Sequence, residues 1–417
     1  MSKEGGHSFD GERPNSGDLV SRSHSRIRIL HAAQVLTPLE VISPGVVIVR
    51  DGTIIAVGPD ATLDPYLQAD IIDCGAGTLV PGFVDLHIHG SGGYSVMEGA
   101  EAVRQIARFL TQFGVTAWLP TMTPRPSLEE MAAAMRDALP SIGPANAGAE
   151  AVGFHLEGPF LNPQRPGAIR REWFRPPSQE DVVALLAAAE NNVRMMTLAP
   201  ELPGGFDVVR YLAQEGVVAS IGHSDATYDD VATFVAAGGR HATHMYNAMR
   251  GFQHRTPGLV GAVLTSDGLT AEVIADGVHV HPAAIDLLVR AKGVYRVAVI
   301  TDAVSAAGLG DGAYEFDGRP ITVRAGKATL ADGTIAGSVA TFDANVRRLV
   351  QQQQVSLQQA AIMSSTVPAR RIGLWGRKGL LAAGYDADLV LLDADLQVRF
   401  TMARGQIVYD SESESGV

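Results

Sequence analysis

The sequence predicts an α/β protein that combines a (β/α)₈ TIM barrel with a small, discontinuous β-sandwich domain built by both ends of the chain. Three observations predict this fold class. Short apolar runs alternate with amphipathic helical patterns along the middle of the chain, which is typical of a parallel sheet. Eight such runs lie within residues 80–305, the strand count of a closed barrel. Blocks of short β-type runs stand on either side.

The barrel prediction depends on runs that are short, apolar and regularly separated. In chain order they are LVPGFVDLHIHG, VTAWLPT, AVGFHLEGPF, VRMMTLAP, VVASIGHS, HATHMYNAM, AEVIADGVHV and YRVAVITDAV. Helical patterns such as AVRQIARFLTQFG, SQEDVVALLAAAE, YDDVATFVAAGG and PAAIDLLVRAKG stand between them. An open, doubly wound sheet is the alternative. It would favour a GxGxxG turn after the first strand, and the sequence has none there.

The β-type blocks at the two ends predict one small sheet domain. RIRILHAAQVLT, GVVIVRDGTIIAVG and ADIIDCGAGTLVPG precede the barrel, and Asp51-Gly52 between two apolar runs predicts a hairpin. ADLVLLDADL and VRFTMARGQIVYD follow it. Two unrelated caps are the alternative. We expect a disordered tail over residues 1–24, the small domain over 25–80 plus 378–417, and the catalytic barrel over 81–377.

Composition excludes several classes of protein. The chain of 417 residues carries 33 Lys plus Arg against 45 Asp plus Glu, so its net charge of −12 disfavours nucleic-acid binding. Its single cysteine, Cys74, excludes disulfide scaffolds and cysteine-rich zinc sites. No apolar run reaches the roughly 18 residues of a membrane span, and the polar N-terminus does not resemble a signal peptide. We therefore expect a soluble, cytoplasmic protein that binds neither nucleic acid nor membrane.

Polar side chains close most of the predicted strands. Nine of the twelve histidines lie between residues 87 and 281. In a barrel the carboxyl ends of the strands converge on one mouth, so these side chains should meet there. Imidazole and carboxylate suit zinc, and also iron or manganese. The candidate groups are His87 and His89 on run one, Glu157 on run three, His223 on run five, His244 on run six, His279 on run seven and Asp302 on run eight.

Asp302 has two interpretations. An aspartate after a strand often caps the next helix. Beside a metal it would instead act as the general base toward water. His155 and His241 are expected to support the site or the core rather than bind metal directly.

Several motifs carry a family resemblance. The PGFVDLHIHG stretch and the strand-end pattern resemble the amidohydrolase superfamily. HLEGPFLN, GHSDATYDD, THMYNAM, IADGVHV and TDAVSAAG are similar to the N-acetylglucosamine-6-phosphate deacetylases within it. GSVATFDANVRRLV, TVPARRIGL and KGLLAAGYDADLVLLD extend the similarity to roughly residues 25–410.

The resemblance implies a role for each matching residue. Glu157, His223 and His244 match the ligands of the main metal, and His87 and His89 match those of a second metal that shares the glutamate. One or two ions are therefore expected, with zinc ahead of iron and manganese. Asp302 matches the catalytic aspartate. Arg255 matches an arginine that contacts the sugar phosphate from the neighbouring subunit of a homodimer, and His279, Asn247 and Ala248 match further substrate contacts.

Two differences between this sequence and related enzymes bear on the predicted metal ligands and on the predicted substrate. Many superfamily relatives bridge two metals with a carboxylated lysine, but this chain has only four lysines and none ends a strand between residues 81 and 291. The bridging carboxylate is therefore expected to be Glu157. Deacetylases of this group usually have Lys-Gly-x-His after HLEGP, and its histidine helps polarise the acetyl carbonyl. Here Ile169 stands at that position.

The expected activity is metal-dependent hydrolysis of N-acetylglucosamine 6-phosphate to glucosamine 6-phosphate and acetate. Asp302 would serve as general base and then general acid. A nearby alternative is deacetylation of N-acetylgalactosamine 6-phosphate or another small N-acyl compound, which the change at Ile169 keeps open. A remote alternative is a non-catalytic barrel that serves as a binding module.

Overall fold

Eight parallel strands form the barrel, and each lies within one of the eight predicted runs, except that Met122 and Thr270 each extend a strand by one residue. The computed structural model describes residues 27–62, 69–145, 147–352 and 355–413. The tail expected over residues 1–24 lies outside the described residues. Barrel strands 1 to 8 are Phe83–Ile88, Val115–Met122, Phe154–Glu157, Val193–Leu198, Val218–Ile221, His241–Ala242, Thr270–Ile274 and Val297–Ile300.

The strands pair in chain order and the ring closes between the last strand and the first. Every neighbouring pair from strand 1 to strand 8 is parallel. Just beyond strand 8, the Asp302 N–H donates to the His87 carbonyl at 2.8 Å. The His89 N–H donates in return to the Ala303 carbonyl, also at 2.8 Å. The predicted barrel is confirmed, and its closure places Asp302 directly beside the end of strand 1.

One α-helix follows each of barrel strands 1 to 7 and three follow strand 8, and these helices cover the outside of the sheet. Serine or threonine caps begin several of them, as at Ser127, Ser178 and Thr227, because their side chains accept a first-turn N–H. Among the described residues, no helix is long and apolar enough to cross a membrane. Helices α1 to α10 are Ala100–Leu110, Leu128–Ala138, Gln179–Ala188, Gly205–Gln214, Tyr228–Ala236, Gly258–Thr265, Pro282–Lys292, Phe342–Gln352, Leu357–Ala361 and Val367–Arg371.

Short turns connect some of these helices to their neighbours. A π-helical turn, Ile362–Thr366, joins α9 to α10. The 3₁₀ turns are Val96–Glu98, Thr111–Phe113, Leu139–Ser141, Arg171–Trp173 and Val294–Arg296.

Two further sheets pack together beside the barrel and confirm a small β domain. Strand Leu389–Leu392 pairs antiparallel with Thr78–Pro81, so chain segments from both ends share one sheet. The predicted hairpin is also confirmed, since Arg50 pairs with Thr53 across Asp51-Gly52. One sheet holds Ile27–Ala32, Gly45–Arg50, Thr53–Gly58 and Asp70–Asp73. The other holds Gln34–Leu36, Val41–Ile42, Thr78–Pro81, Leu389–Leu392, Val398–Ala403 and Gln406–Asp410.

A buried charge cluster joins the two parts of the molecule. The Lys378 ammonium lies 2.5 Å from Asp388, 2.9 Å from Asp386 and 3.0 Å from Glu150. Glu150 belongs to the short strand Glu150–Ala151, which pairs with barrel strand 2. The boundaries of the small domain at residues 80 and 378 stay a prediction. The cluster lies at the predicted junction, because Lys378 is the first residue of the C-terminal segment and Glu150 belongs to the barrel.

Two small sheets near the barrel mouth were not predicted from the sequence. Gly312–Phe316, Arg319–Arg324 and Lys327–Thr329 form a three-stranded antiparallel sheet after strand 8. The strands Gly90–Ser91 and Tyr94–Ser95 form a two-stranded ribbon after strand 1. The turn of the larger sheet carries Asp317, which accepts from Arg125 at 2.7 Å and so ties the sheet to the loop after strand 2.

Candidate active site

The barrel mouth brings the predicted strand-end groups together. His87 and Glu157 lie within strands 1 and 3, and the others follow the ends of strands 1, 5, 6, 7 and 8. All are buried or nearly so. Three of them, His223, His244 and Asp302, have positive φ angles of 46°, 28° and 51°. Such strained backbone is uncommon outside glycine and persists where the surrounding structure holds it in place.

One half of the cluster is formed by Glu157, His223 and His244. Glu157 Oε1 lies 3.0 Å from His223 Nε2 and 3.1 Å from His244 Nε2, and the two nitrogens are 3.0 Å apart. His223 Nδ1 lies 2.8 Å from the Arg165 carbonyl and must donate to it, so its Nε2 keeps a lone pair. Converging nitrogen and carboxylate lone pairs are the donor set of a divalent cation.

The other half is formed by His87 and His89 on the opposite side of Glu157. The two Nε2 atoms are 3.2 Å apart, and the second carboxylate oxygen, Oε2, lies 3.3 Å from His89 Nε2. His89 Nδ1 lies 3.1 Å from the Thr121 carbonyl, which again leaves Nε2 as the ring nitrogen that faces the centre. Glu157 therefore faces both halves: Oε2 lies toward His89, while Oε1 lies toward His223 and His244 and also 3.4 Å from His87 Nε2.

Asp302 borders this second half. Its Oδ1 lies 3.2 Å from His89 Nε2 and 3.5 Å from His87 Nε2. Burial opposes ionisation of Asp302, but the adjacent charge of His87 and the hydrogen bond from His89 hold its pKa below the usual value. Burial likewise opposes the charged form of His89, yet Asp302 and Glu157 raise the pKa of His89 to about 9 in the metal-free protein. The carboxylate is thus ionised and able to accept a proton.

Two acidic residues of strand 7 and its following loop were missed by sequence reasoning. Glu272 accepts from His87 Nδ1 at 3.2 Å and from His241 Nε2 at 3.0 Å. Asp276 lies 2.7 Å from His279 Nδ1. The available signal was a glutamate inside an otherwise apolar run, AEVIADGVHV. His155, Glu272 and His87 also cluster, but both His155 nitrogens are occupied, by the Leu86 carbonyl and the Thr197 hydroxyl.

A cavity opens directly above the cluster and carries three of the predicted substrate contacts. His279, Asn247 and Ala248 line it together with four of the predicted metal ligands, His89, Glu157, His223 and His244. The His279 imidazole is fixed by Asp276, whose Oδ2 also accepts from Ser338 at 2.9 Å. Burial works against a charged His279, but the bond to Asp276 raises its pKa above the usual value.

Apolar groups form the rest of the wall. Ile169, Ala168, Phe316 and Ile335 line the same cavity. The Ile169 side chain is 6% exposed. Because isoleucine is apolar, this position offers no hydrogen bond to the space above the cluster.

Arg255 lies elsewhere in the chain's own fold. It is exposed and lines a separate surface cleft with Tyr228, Asp229 and Arg250. The structure of one chain therefore does not bring Arg255 together with the other predicted substrate contacts.

An eight-stranded parallel barrel with imidazoles and carboxylates converging at its carboxyl mouth defines the class of metal-dependent barrel hydrolases. The chain belongs to the amidohydrolase family, whose sequence profile matches residues 78–410.

Curated relatives match over most of their length. The N-acetylglucosamine-6-phosphate deacetylase of Bacillus subtilis is 37% identical and covers 91% of this chain and 96% of its own. The N-acetylgalactosamine-6-phosphate deacetylase of Escherichia coli O157:H7 is 35% identical and covers 91% and 98%. The crystal structure of N-acetyl-D-glucosamine-6-phosphate deacetylase from Mycobacterium smegmatis superposes with a TM-score of 0.85 at 36% identity, covering 92% and 100%. A D267A mutant of that enzyme was solved with N-acetyl-D-glucosamine-6-phosphate bound.

Proposed function

We propose that this protein hydrolyses the N-acetyl group of N-acetylglucosamine 6-phosphate to release acetate and glucosamine 6-phosphate. The observation that carries the proposal is the Asp302 carboxylate, 14% exposed, at the edge of a five-residue imidazole and carboxylate cluster, under a cavity that His279 and Asn247 line. The names of relatives that align over nearly their whole length support the same substrate.

The residues fit a divalent metal. Glu157, His223 and His244 would hold the main ion, and His87 and His89 would hold a second that shares Glu157. We infer zinc as the ion, because imidazole and carboxylate are its usual ligands where cysteine is absent; iron and manganese accept the same set. When bound, the ion supplies Lewis acidity at the carbonyl oxygen and lowers the pKa of water.

The protein's own groups carry the proton transfers. The Asp302 carboxylate takes a proton from the attacking water and later returns it to the leaving amine nitrogen. His279, fixed by Asp276, and the Asn247-Ala248 segment hold the sugar over the cluster. Because Ile169 provides no hydrogen bond, the carbonyl oxygen depends on the metal for polarisation.

Deacetylation of N-acetylgalactosamine 6-phosphate is the second candidate. The Escherichia coli relative of that name is almost as similar as the glucosamine enzymes. Acetate release should be compared for N-acetylglucosamine and N-acetylgalactosamine, each with and without the 6-phosphate. Rapid release from N-acetylglucosamine 6-phosphate is expected, and a preference for any of the other three would reject the main proposal.

The proposal includes a homodimer in the cytoplasm. Arg255 would reach the phosphate of the neighbouring subunit, since guanidinium presents a planar donor fork to phosphate oxygens. Arg255→Ala should then raise KM for the phosphorylated substrate with little effect on kcat, and the protein should elute as a dimer. An unchanged KM would remove Arg255 from substrate binding.

A further inference from the structure

Glu272 is a buried acidic residue that the proposed mechanism does not use. It lies in barrel strand 7 with 0% of its surface exposed. Its neighbours Ala271 and Val273 pack in the main hydrophobic core with residues of the covering helices. Alternation along the strand turns Glu272 the other way, into the barrel. It does not line the substrate cavity.

Three N–H groups from two other strand ends converge on this carboxylate. Oε2 lies 3.2 Å from His87 Nδ1 and 3.1 Å from the backbone nitrogen of His244. Oε1 lies 3.0 Å from His241 Nε2. An ionised carboxylate accepts all three bonds, whereas an amide cannot.

The bond to His87 fixes the position of that ring's proton. With Nδ1 donating to Glu272, Nε2 is the ring nitrogen of His87 left to bind a metal, and it faces Glu157 Oε1, 3.4 Å away. The Nδ1 atoms of His89 and His223 are held by neutral backbone carbonyls instead. A carboxylate partner makes the imidazole a stronger ligand and orients it more firmly.

We propose that Glu272 is a positioning residue that makes His87 a competent metal ligand and thereby controls metal occupancy of the His87–His89 half. This inference rests on the proposed function only in assigning His87 to the metal centre. Because Glu272 also holds the backbone of His244, it connects the two halves of the cluster from beneath.

The test is zinc binding by Glu272→Gln. Glutamine is nearly isosteric but offers one acceptor oxygen for three donors, so its NH₂ must face a histidine. Zinc should be measured by elemental analysis and by titration of the metal-free protein. We expect the weaker zinc equivalent to lose about 10- to 100-fold in affinity, the usual cost of losing such a partner.

Two controls separate positioning from general damage. In a His87→Asn background, Glu272→Gln should cause no further loss of zinc affinity, because its effect passes through His87. Asp276→Asn changes another buried carboxylate, one that contacts His279 rather than the metal cluster, and should retain wild-type zinc binding. Wild-type zinc affinity in Glu272→Gln, or an equal loss with and without His87, would overturn the proposal.

A direct measurement covers the case in which Glu272→Gln does not fold. Nitrogen-15 NMR of the metal-free wild type, with His87→Asn to assign the signal, should show a His87 ring protonated at Nδ1. A ring protonated only at Nε2 would refute the inference. Neither experiment uses substrate, so both can be interpreted even if the substrate assignment is wrong. If the zinc and NMR measurements give the expected results but no acetate is released, only the proposed function is rejected.

Discussion

Asp302→Asn is the most informative change at the proposed active site. Asparagine keeps the size of the side chain, and the backbone bonds to His87 and Ser338 that hold residue 302 remain available. The change removes the carboxylate whose Oδ1 lies 3.2 Å from His89 Nε2. Because the Glu157, His223 and His244 triad does not depend on Asp302, the main metal ion should still bind.

The expected loss follows from the absence of a substitute base. General acid–base catalysis contributes about 10²- to 10⁴-fold, or roughly 3–5 kcal/mol at about 1.4 kcal/mol per tenfold. Within the described part of the chain, the other carboxylate lining the cavity is Glu157, and both of its oxygens already face imidazoles. Since one group is assigned both proton transfers, we expect kcat to fall by about 10³-fold or more.

This prediction is tested by measuring acetate release by Asp302→Asn at saturating substrate, together with the zinc content of the variant. The variant should keep its main metal and its KM within a fewfold while kcat collapses. Activity within tenfold of wild type would show that another group moves the proton. Loss of the main metal would show that Asp302 holds the cluster together rather than acting on water.

Three further outcomes are expected. Asp276→Asn should raise KM more than it lowers kcat, because His279 loses the carboxylate that orients it; equal changes in both constants would contradict this role. Chelation of the metal should lower the unfolding temperature, since an ion present at about 1,000 times its dissociation constant stabilises the fold by about 4 kcal/mol; an unchanged temperature would argue against a resident ion. Lys378→Met should destabilise the fold by about 3–5 kcal/mol in denaturant unfolding, because Glu150 and Asp388 would be left buried without their cation.

Local patterns were sufficient to predict the barrel and most of the cluster. Parallel strands all end at one mouth, so His223, His244 and Asp302 could be placed together although their partners are far apart in sequence. The Asp51-Gly52 hairpin was equally accessible, because turn geometry depends on adjacent residues. These features need only a strand count and the direction of each strand.

Features that depend on pairwise contacts between distant segments could not be predicted. Glu272 meets His87 across 185 positions of sequence, and nothing in strand 7 alone tells which strand its side chain faces. The three-stranded sheet after strand 8 was missed because it lies outside the strand and helix alternation. Arg255 was expected at the substrate only from the family resemblance, and in the chain's own fold it lines a separate surface cleft.

Glu157 lies between the two halves of the cluster, where it can serve as the bridging carboxylate in place of a carboxylated lysine. At the end of barrel strand 4, where related enzymes carry a bridging lysine, Thr197 bonds His155 at 2.8 Å and Thr243 at 2.7 Å and supports the barrel interior. Glu157 on the preceding strand instead directs Oε1 to His223 and His244 and Oε2 to His89. One side chain then has to serve both halves, so Glu157→Gln should weaken zinc binding at both, whereas Glu272→Gln should weaken chiefly one. Equal zinc stoichiometry and affinity in these two variants would show that the halves do not share Glu157.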